Sequence, residues 1–180
     1  MIKYTQNGVL LSGKDAFSPA QTFDCGQAFR FIPSQKGYHG VAMGRYLEVS
    51  AEGEDTLLHC SKEDFEEVWR DYFDLGRDYS AIEIDPSDGF LTAARDYGRG
   101  IRILKQQPFE ALCSFIISQC NNIPRIRGII GRLCELGGEK LENGFYTSHP
   151  PKGLRSWGLM GLHPFARATV RHTSLVRQGR

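Results

Sequence analysis

Two short segments of this 180-residue chain carry residue types suited to recognising a flat, polar ligand. The first, Asp24-Cys25-Gly26-Gln27-Ala28-Phe29-Arg30-Phe31, sets a glycine among β-favouring residues. Such a glycine either forms a bulge or tight turn at a strand edge or lets the backbone approach a planar group that a side chain would hold off. The second runs from Ser114 to Ile126 and contains Cys120-Asn121-Asn122-Ile123-Pro124-Arg125. It brings amide side chains, the unsatisfied N–H groups of a helix start and a cation to one point. That combination suits a phosphate or the edge of a base, and it equally describes an ordinary capped turn with a surface arginine.

These segments must be held by the elements around them. From Val9 to Cys60 short β-favouring runs at Gln21–Asp24, Ala28–Ile32, Tyr38–Met43, Arg45–Ser50 and Thr56–Cys60 predict an antiparallel sheet of hairpins, with turns at Gln35-Lys36-Gly37 and Glu52-Gly53-Glu54. At Ser61 the period changes to that of a helix. Ser61 and Asp64 match a capping box, and Phe65, Val68, Trp69 and Tyr72 share one face. Asp85-Pro86 predicts a second helix through Phe90, Leu91 and Ala94. Pro108 predicts a third, whose Leu112, Phe115, Ile116 and Ile117 call for burial, and Pro124 a fourth, with Ile126, Ile129, Ile130 and Leu133, ending at Gly137-Gly138. The expected fold class is α+β: an N-terminal antiparallel sheet with accompanying helices, then the start of a helical domain.

Composition narrows the function class less than the motifs do. Hydrophobic residues at 41% and charged residues at 24% suit a water-soluble globular protein. Lys plus Arg is 22 against Asp plus Glu 21, a net charge of +1, so no overall basic bias announces nucleic acid. The distribution is uneven: residues 51–88 are acid-rich, whereas Pro124 onward holds Arg125, Arg127, Arg132 and further cations with few acids. Cys25, Cys60, Cys113, Cys120 and Cys134 are odd in number and form no CxxC pair, which argues against a disulfide framework or a metal cluster. A cytoplasmic location fits. No cofactor, metal or membrane segment is implied.

Taken together, "CGQAFRF", the Asp64–Phe73 helix and "QQPFEALCSFIISQCNNIPRIRGIIGRLCE" closely resemble the 8-oxoguanine DNA glycosylase family over roughly Val9 to Phe145. The resemblance implies a base-excision-repair glycosylase and AP lyase, monomeric and nucleoid-associated, whose partner is double-stranded DNA containing an oxidised purine. By the same resemblance, the Gly26 carbonyl would recognise the N7 hydrogen that marks 8-oxoguanine. Cys120, Asn121 and Asn122 would form the turn at the DNA that fills the space of the flipped base, and Arg125 would contact the orphaned cytosine. Cys120 stands where the family usually has a third asparagine, either weakening that support, since a thiol hydrogen-bonds poorly, or a harmless variant.

The family's catalytic lysine and aspartate lie in a helix–hairpin–helix that this sequence does not contain, so no catalytic residue is assigned. The expected organisation is 1–105, an N-terminal sheet domain; 106–147, the start of the glycosylase domain; and 148–180, a tail with little apolar periodicity. Read one base out of frame, that tail permits text resembling the family's continuation, and residues from about Ser148 are expected to be out-of-frame translation. A truncated glycosylase and a non-catalytic damaged-DNA-binding module are the two function classes that follow.

Overall fold

A computed structural model describes residues 1–148 apart from Lys14. Six strands form one antiparallel sheet in the order β1-β2-β6-β5-β4-β3: β1 (Ile2–Thr5), β2 (Gly8–Leu11), β3 (Ile32–Pro33), β4 (Gly37–Ala42), β5 (Arg45–Glu52) and β6 (Asp55–His59). The centre of the sheet is the pair of hairpins β4–β5 and β5–β6, with registers that face Val41 to Tyr46 and Val49 to Leu58. Val9, Leu11, Leu47, Val49 and Leu58 point into a core shared with Phe23, Phe31, Phe65, Trp69 and Phe73. Phe23 and Phe31 stack with centroids 4.1 Å apart.

The runs at 38–43, 45–50 and 56–60 form strands as expected, and two others do not. Residues 21–24 belong to α1 (Pro19–Asp24), because Pro19 at the first turn seeds a helix whose inner face is Thr22 and Phe23. Residues 28–31 are irregular. Phe31 goes into the sheet core and Phe29 into a second cluster, so the segment is buried on both sides and has no strand partner.

The Ser61 hydroxyl accepts from Asp64 N at 3.0 Å, and a continuous helix follows through α2 (Lys62–Asp64), a wide π turn at Phe65–Trp69 and α3 (Arg70–Tyr72). Phe65, Trp69 and Tyr72 are buried along it. The next helix, α4 (Gly89–Tyr97), starts later than Asp85-Pro86. Asp88 caps it, accepting from Phe90 N and Leu91 N, while Asp85 closes a local turn onto Ser87. Its Phe90 and Leu91 are exposed.

Helices α5 (Pro108–Ser118) and α6 (Ile123–Gly137) pack against each other around Ile117, Ile126, Ile130 and Cys134, joined by Phe29. The expectation that α5 is buried holds on one side only. Glu110, Ser114 and Ile117 face inward, but Leu112, Phe115 and Ile116 are more than half exposed among the described residues. Its apolar composition signals a need for cover, and these residues supply it on one face. After α6 a hairpin returns to the sheet: Lys140 bridges Tyr146, and Phe145 lies against the rings of His39 and Tyr46. Ser148, where the expected tail begins, packs on Glu110; residues 149–180, the rest of that expectation, lie outside the described residues.

Candidate nucleic-acid interface

The glycine segment turns sharply at the end of α1. Gly26 sits at φ +87°, a left-handed conformation that glycine adopts without strain, and a methyl group built there would meet no atom of the described residues within 4 Å. Among the described residues the backbone is therefore open on that side. Both flanks are tied down. On one side Asp24 accepts from the Tyr38 hydroxyl at 2.7 Å through Oδ2 and from Arg127 Nη2 at 3.0 Å through Oδ1. Burial, with the Asp24 hydrogen bond second, pushes the Tyr38 phenol up to about 12, so it remains a donor at neutral pH.

On the other side the Gln27 amide pairs with an extended segment much as a strand would. Its Nε2 donates to the Arg102 carbonyl at 2.8 Å, and its Oε1 accepts from Leu104 N at 3.0 Å. The Gln106 side chain completes the arrangement, donating to the Gln27 carbonyl at 2.6 Å. Arg102, itself 7% exposed, is held by the carbonyls of Ala16 and Arg77 and lies 4.6 Å from the Tyr79 ring.

The second segment is a tight link between two helix ends. Cys120, at its tip, is exposed at φ +56°, a conformation costly for a residue with a Cβ. Asn121 donates its amide to the Ile117 carbonyl at 2.6 Å, capping the end of α5. The Asn122 Oδ1 accepts from Arg125 N at 3.0 Å, capping the start of α6. Both asparagines thus have a folding role. Arg125 is exposed in the first turn of α6.

The two segments adjoin. The Asp24–Arg127 ion pair crosses 103 positions of sequence, and Phe29 packs with Ile117, Ile126 and Ile130, which flank the Asn-rich turn. Arg127 counted among the cations of the basic stretch, but Asp24 holds it.

Sequence reasoning also passed over a buried pair beside this region. Arg30 and Glu110 lie 3.8 Å apart with side chains 8% and 6% exposed. Arg30 also donates to the Tyr146 carbonyl, and the Ser148 hydroxyl to Glu110. Burial raises the Glu110 carboxyl above its ordinary value, more than Ser148 and Arg30 pull it back. The available signal was a charge set among aromatics in "FRF" and another in the apolar "PFEALCSFII". Among the described residues no three His, Cys, Asp or Glu side chains gather closely enough to hold a metal ion, and no helix is long and apolar enough to cross a membrane.

Residues 9–112 match the family described as 8-oxoguanine DNA glycosylase, N-terminal domain. The chain belongs to the 8-oxoguanine DNA glycosylase family. Its α+β architecture matches solved members. The apo-form of Clostridium acetobutylicum 8-oxoguanine glycosylase/lyase is 41% identical with a TM-score of 0.74, over 84% of this chain and 55% of that one. The same bacterial glycosylase in complex with double-stranded DNA containing cytosine opposite 8-oxoguanine is also 41% identical, with a TM-score of 0.73, over 84% of this chain and 54% of that one. The Arabidopsis thaliana N-glycosylase/DNA lyase OGG1 is 30% identical over 130 residues, 64% of this chain and 34% of its own length. The chain thus spans about half the length of the bacterial glycosylase and about a third of the plant one.

Proposed function

We propose that residues 1–148 form the lesion-recognition part of an 8-oxoguanine DNA glycosylase/AP lyase, binding double-stranded DNA that contains an oxidised purine, as a monomer at the nucleoid. In this reading the Gly26 carbonyl accepts the N7 hydrogen that 8-oxoguanine has and guanine lacks. Cys120, Asn121 and Asn122 form the turn that fills the vacated slot, and Arg125 meets the cytosine left behind. Extruding a base costs a few kcal/mol of unstacking, so a preformed filler and a partner for the orphan base lower the cost of the open state. The observation that carries the reading is the Asp24–Arg127 contact, which joins the glycine turn to the helix that follows the Asn-rich turn.

Catalysis is assigned to no described residue. A glycosylase/lyase of this kind uses a lysine amine as nucleophile and an assisting aspartate. Lys105 is held by Asp71 and Asp74 at 2.5 and 3.4 Å. The second reading, a non-catalytic module that senses damaged DNA, rests on that pairing, which leaves Lys105 engaged within the protein.

Fluorescence anisotropy with duplexes carrying 8-oxoguanine or guanine opposite cytosine tests recognition: tighter binding of the lesion duplex is expected, and equal binding refutes it. Borohydride reduction during incubation tests catalysis. No covalent complex is expected, and a trapped complex would overturn the assignment of no amine to this chain.

A further inference from the structure

We infer that Asp24 and Arg127 are a positioning pair for lesion discrimination, setting where the Cys25–Gly26 turn stands relative to α6. The inference rests on the base-inspection role proposed for Gly26 and concerns what holds that carbonyl in place.

The turn hangs between two unlike anchors. Gln27 is tied through three hydrogen bonds to Arg102, Leu104 and Gln106, all in the segment that leads into α5. Asp24 is tied by its two oxygens to β4 through Tyr38 and to α6 through Arg127. Between them, Cys25 bonds only locally, its thiol donating to the Thr22 carbonyl at 3.2 Å and accepting from Gln27 Nε2 at 3.3 Å. Gly26 has open space around its α-carbon, and its left-handed backbone has no side chain to brace it. Burial of Thr22 and Phe23 fixes α1 as far as the residue before Asp24, and Gln27 fixes the far side, so Asp24 governs only the short step between them. Its Arg127 arm refers that step to the helix that begins at the Asn-rich corner.

The chemistry of the pair favours this role over phosphate binding. The Arg127 side chain is 24% exposed, its guanidinium is directed at Asp24, and its buried Nε has no hydrogen-bond partner among the described residues. A cation gathered for the DNA backbone would present its fork to solvent rather than to a carboxylate of its own chain. The Asp24 side chain is 48% exposed. A half-exposed pair of this kind adds little to global stability, so its main effect is local geometry. Recognition held to about half an ångström depends on such supporting contacts.

The test uses the full chain and the variants Arg127→Met, Arg127→Lys and Asp24→Asn. The ratio of lesion-duplex to guanine-duplex affinity is expected to fall about five-fold in Arg127→Met, the lower end of ordinary coupling between sites, and to recover in Arg127→Lys. Asp24→Asn, which keeps a neutral hydrogen bond, should fall between. A loss shared equally by both duplexes, with the salt dependence reduced by about one counterion, would mean that Arg127 binds phosphate and would overturn the inference. Hydrogen exchange across residues 20–28 and alkylation of the exposed Cys25 thiol give a readout that needs no DNA. Both should quicken in Arg127→Met while exchange in β4–β6 stays as in the parent. Should the parent itself bind both duplexes equally, the base-inspection reading fails, and the exchange arm still decides the pair: unchanged exchange and alkylation would refute it.

Discussion

Replacing Arg30 by methionine removes the cation that faces Glu110 while keeping most of the side-chain volume. The two side chains are 8% and 6% exposed and 3.8 Å apart, so water screens them little. At an effective dielectric of about 20, charges at that distance attract by about 4 kcal/mol. Breaking a buried pair from one side costs about 3–5 kcal/mol, because the remaining charge stays desolvated. At about 2–4 °C per kcal/mol for a chain of this length, Tm should fall by about 6–20 °C. The loss should also depend on pH in a defined direction. Burial already holds the Glu110 carboxyl above its ordinary value of 4.5, and without Arg30 it rises further. A raised carboxyl pKa means that the folded state keeps a proton the unfolded chain has released. Stability of Arg30→Met should therefore be greatest near pH 4.5 and decline as pH rises through the elevated value. The double variant Arg30→Met/Glu110→Gln removes the stranded charge but keeps an acceptor for Ser148, and it should recover more than half of the lost Tm. Scanning calorimetry between pH 4.5 and 8 on the parent, both single variants and the double completes the cycle. An Arg30→Met Tm within about 2 °C of the parent, or a double variant no more stable than Arg30→Met, would refute the reasoning.

Other outcomes are expected at the turns and on the exposed helix face. Gly26→Ala meets no clash but forces an L side chain to φ +87°, costing about 1–2 kcal/mol, and calorimetry should register it alongside loss of lesion-duplex binding. Cys120→Gly relieves the strain at φ +56° and should raise Tm by about 2–4 °C. Asn122→Ala removes the cap of α6 and should lower stability by about 1 kcal/mol by chemical denaturation, with Asn122→Asp close to the parent. Leu112→Gln combined with Phe115→Ser should reduce light scattering at high concentration without lowering Tm, since both side chains are more than half exposed among the described residues.

What the sequence made legible was local. The β4–β6 hairpins, the Ser61 box, the proline-led starts of α5 and α6 and the Gly137-Gly138 stop each rest on residues within a few positions of one another. Residues 28–31 could not be read this way, since Phe29 and Phe31 serve different cores and leave no alternation. The helix at Pro19–Asp24 is only six residues long, too short for periodicity to outweigh its β-favouring Thr22 and Phe23. At the candidate site, the glycine and the asparagines were visible as types, whereas the Asp24–Arg127 and Arg30–Glu110 pairs join positions that are distant along the chain. The uncovered face of α5 marks the same boundary: an apolar run states what a helix requires, and says nothing of which residues meet the requirement.

The cap at the start of α6 limits how this corner can drift in evolution. Aspartate could nucleate the helix in place of Asn122, but under the proposed DNA-binding role it would set a negative charge before an approaching polyanion. Serine or threonine would nucleate it too, yet neither carries a carboxamide with which to address a nucleobase. Under the proposed DNA-binding role, one letter of the alphabet that folding tolerates there also suits the ligand, so the architecture of the helix and the proposed contact would select the same amino acid.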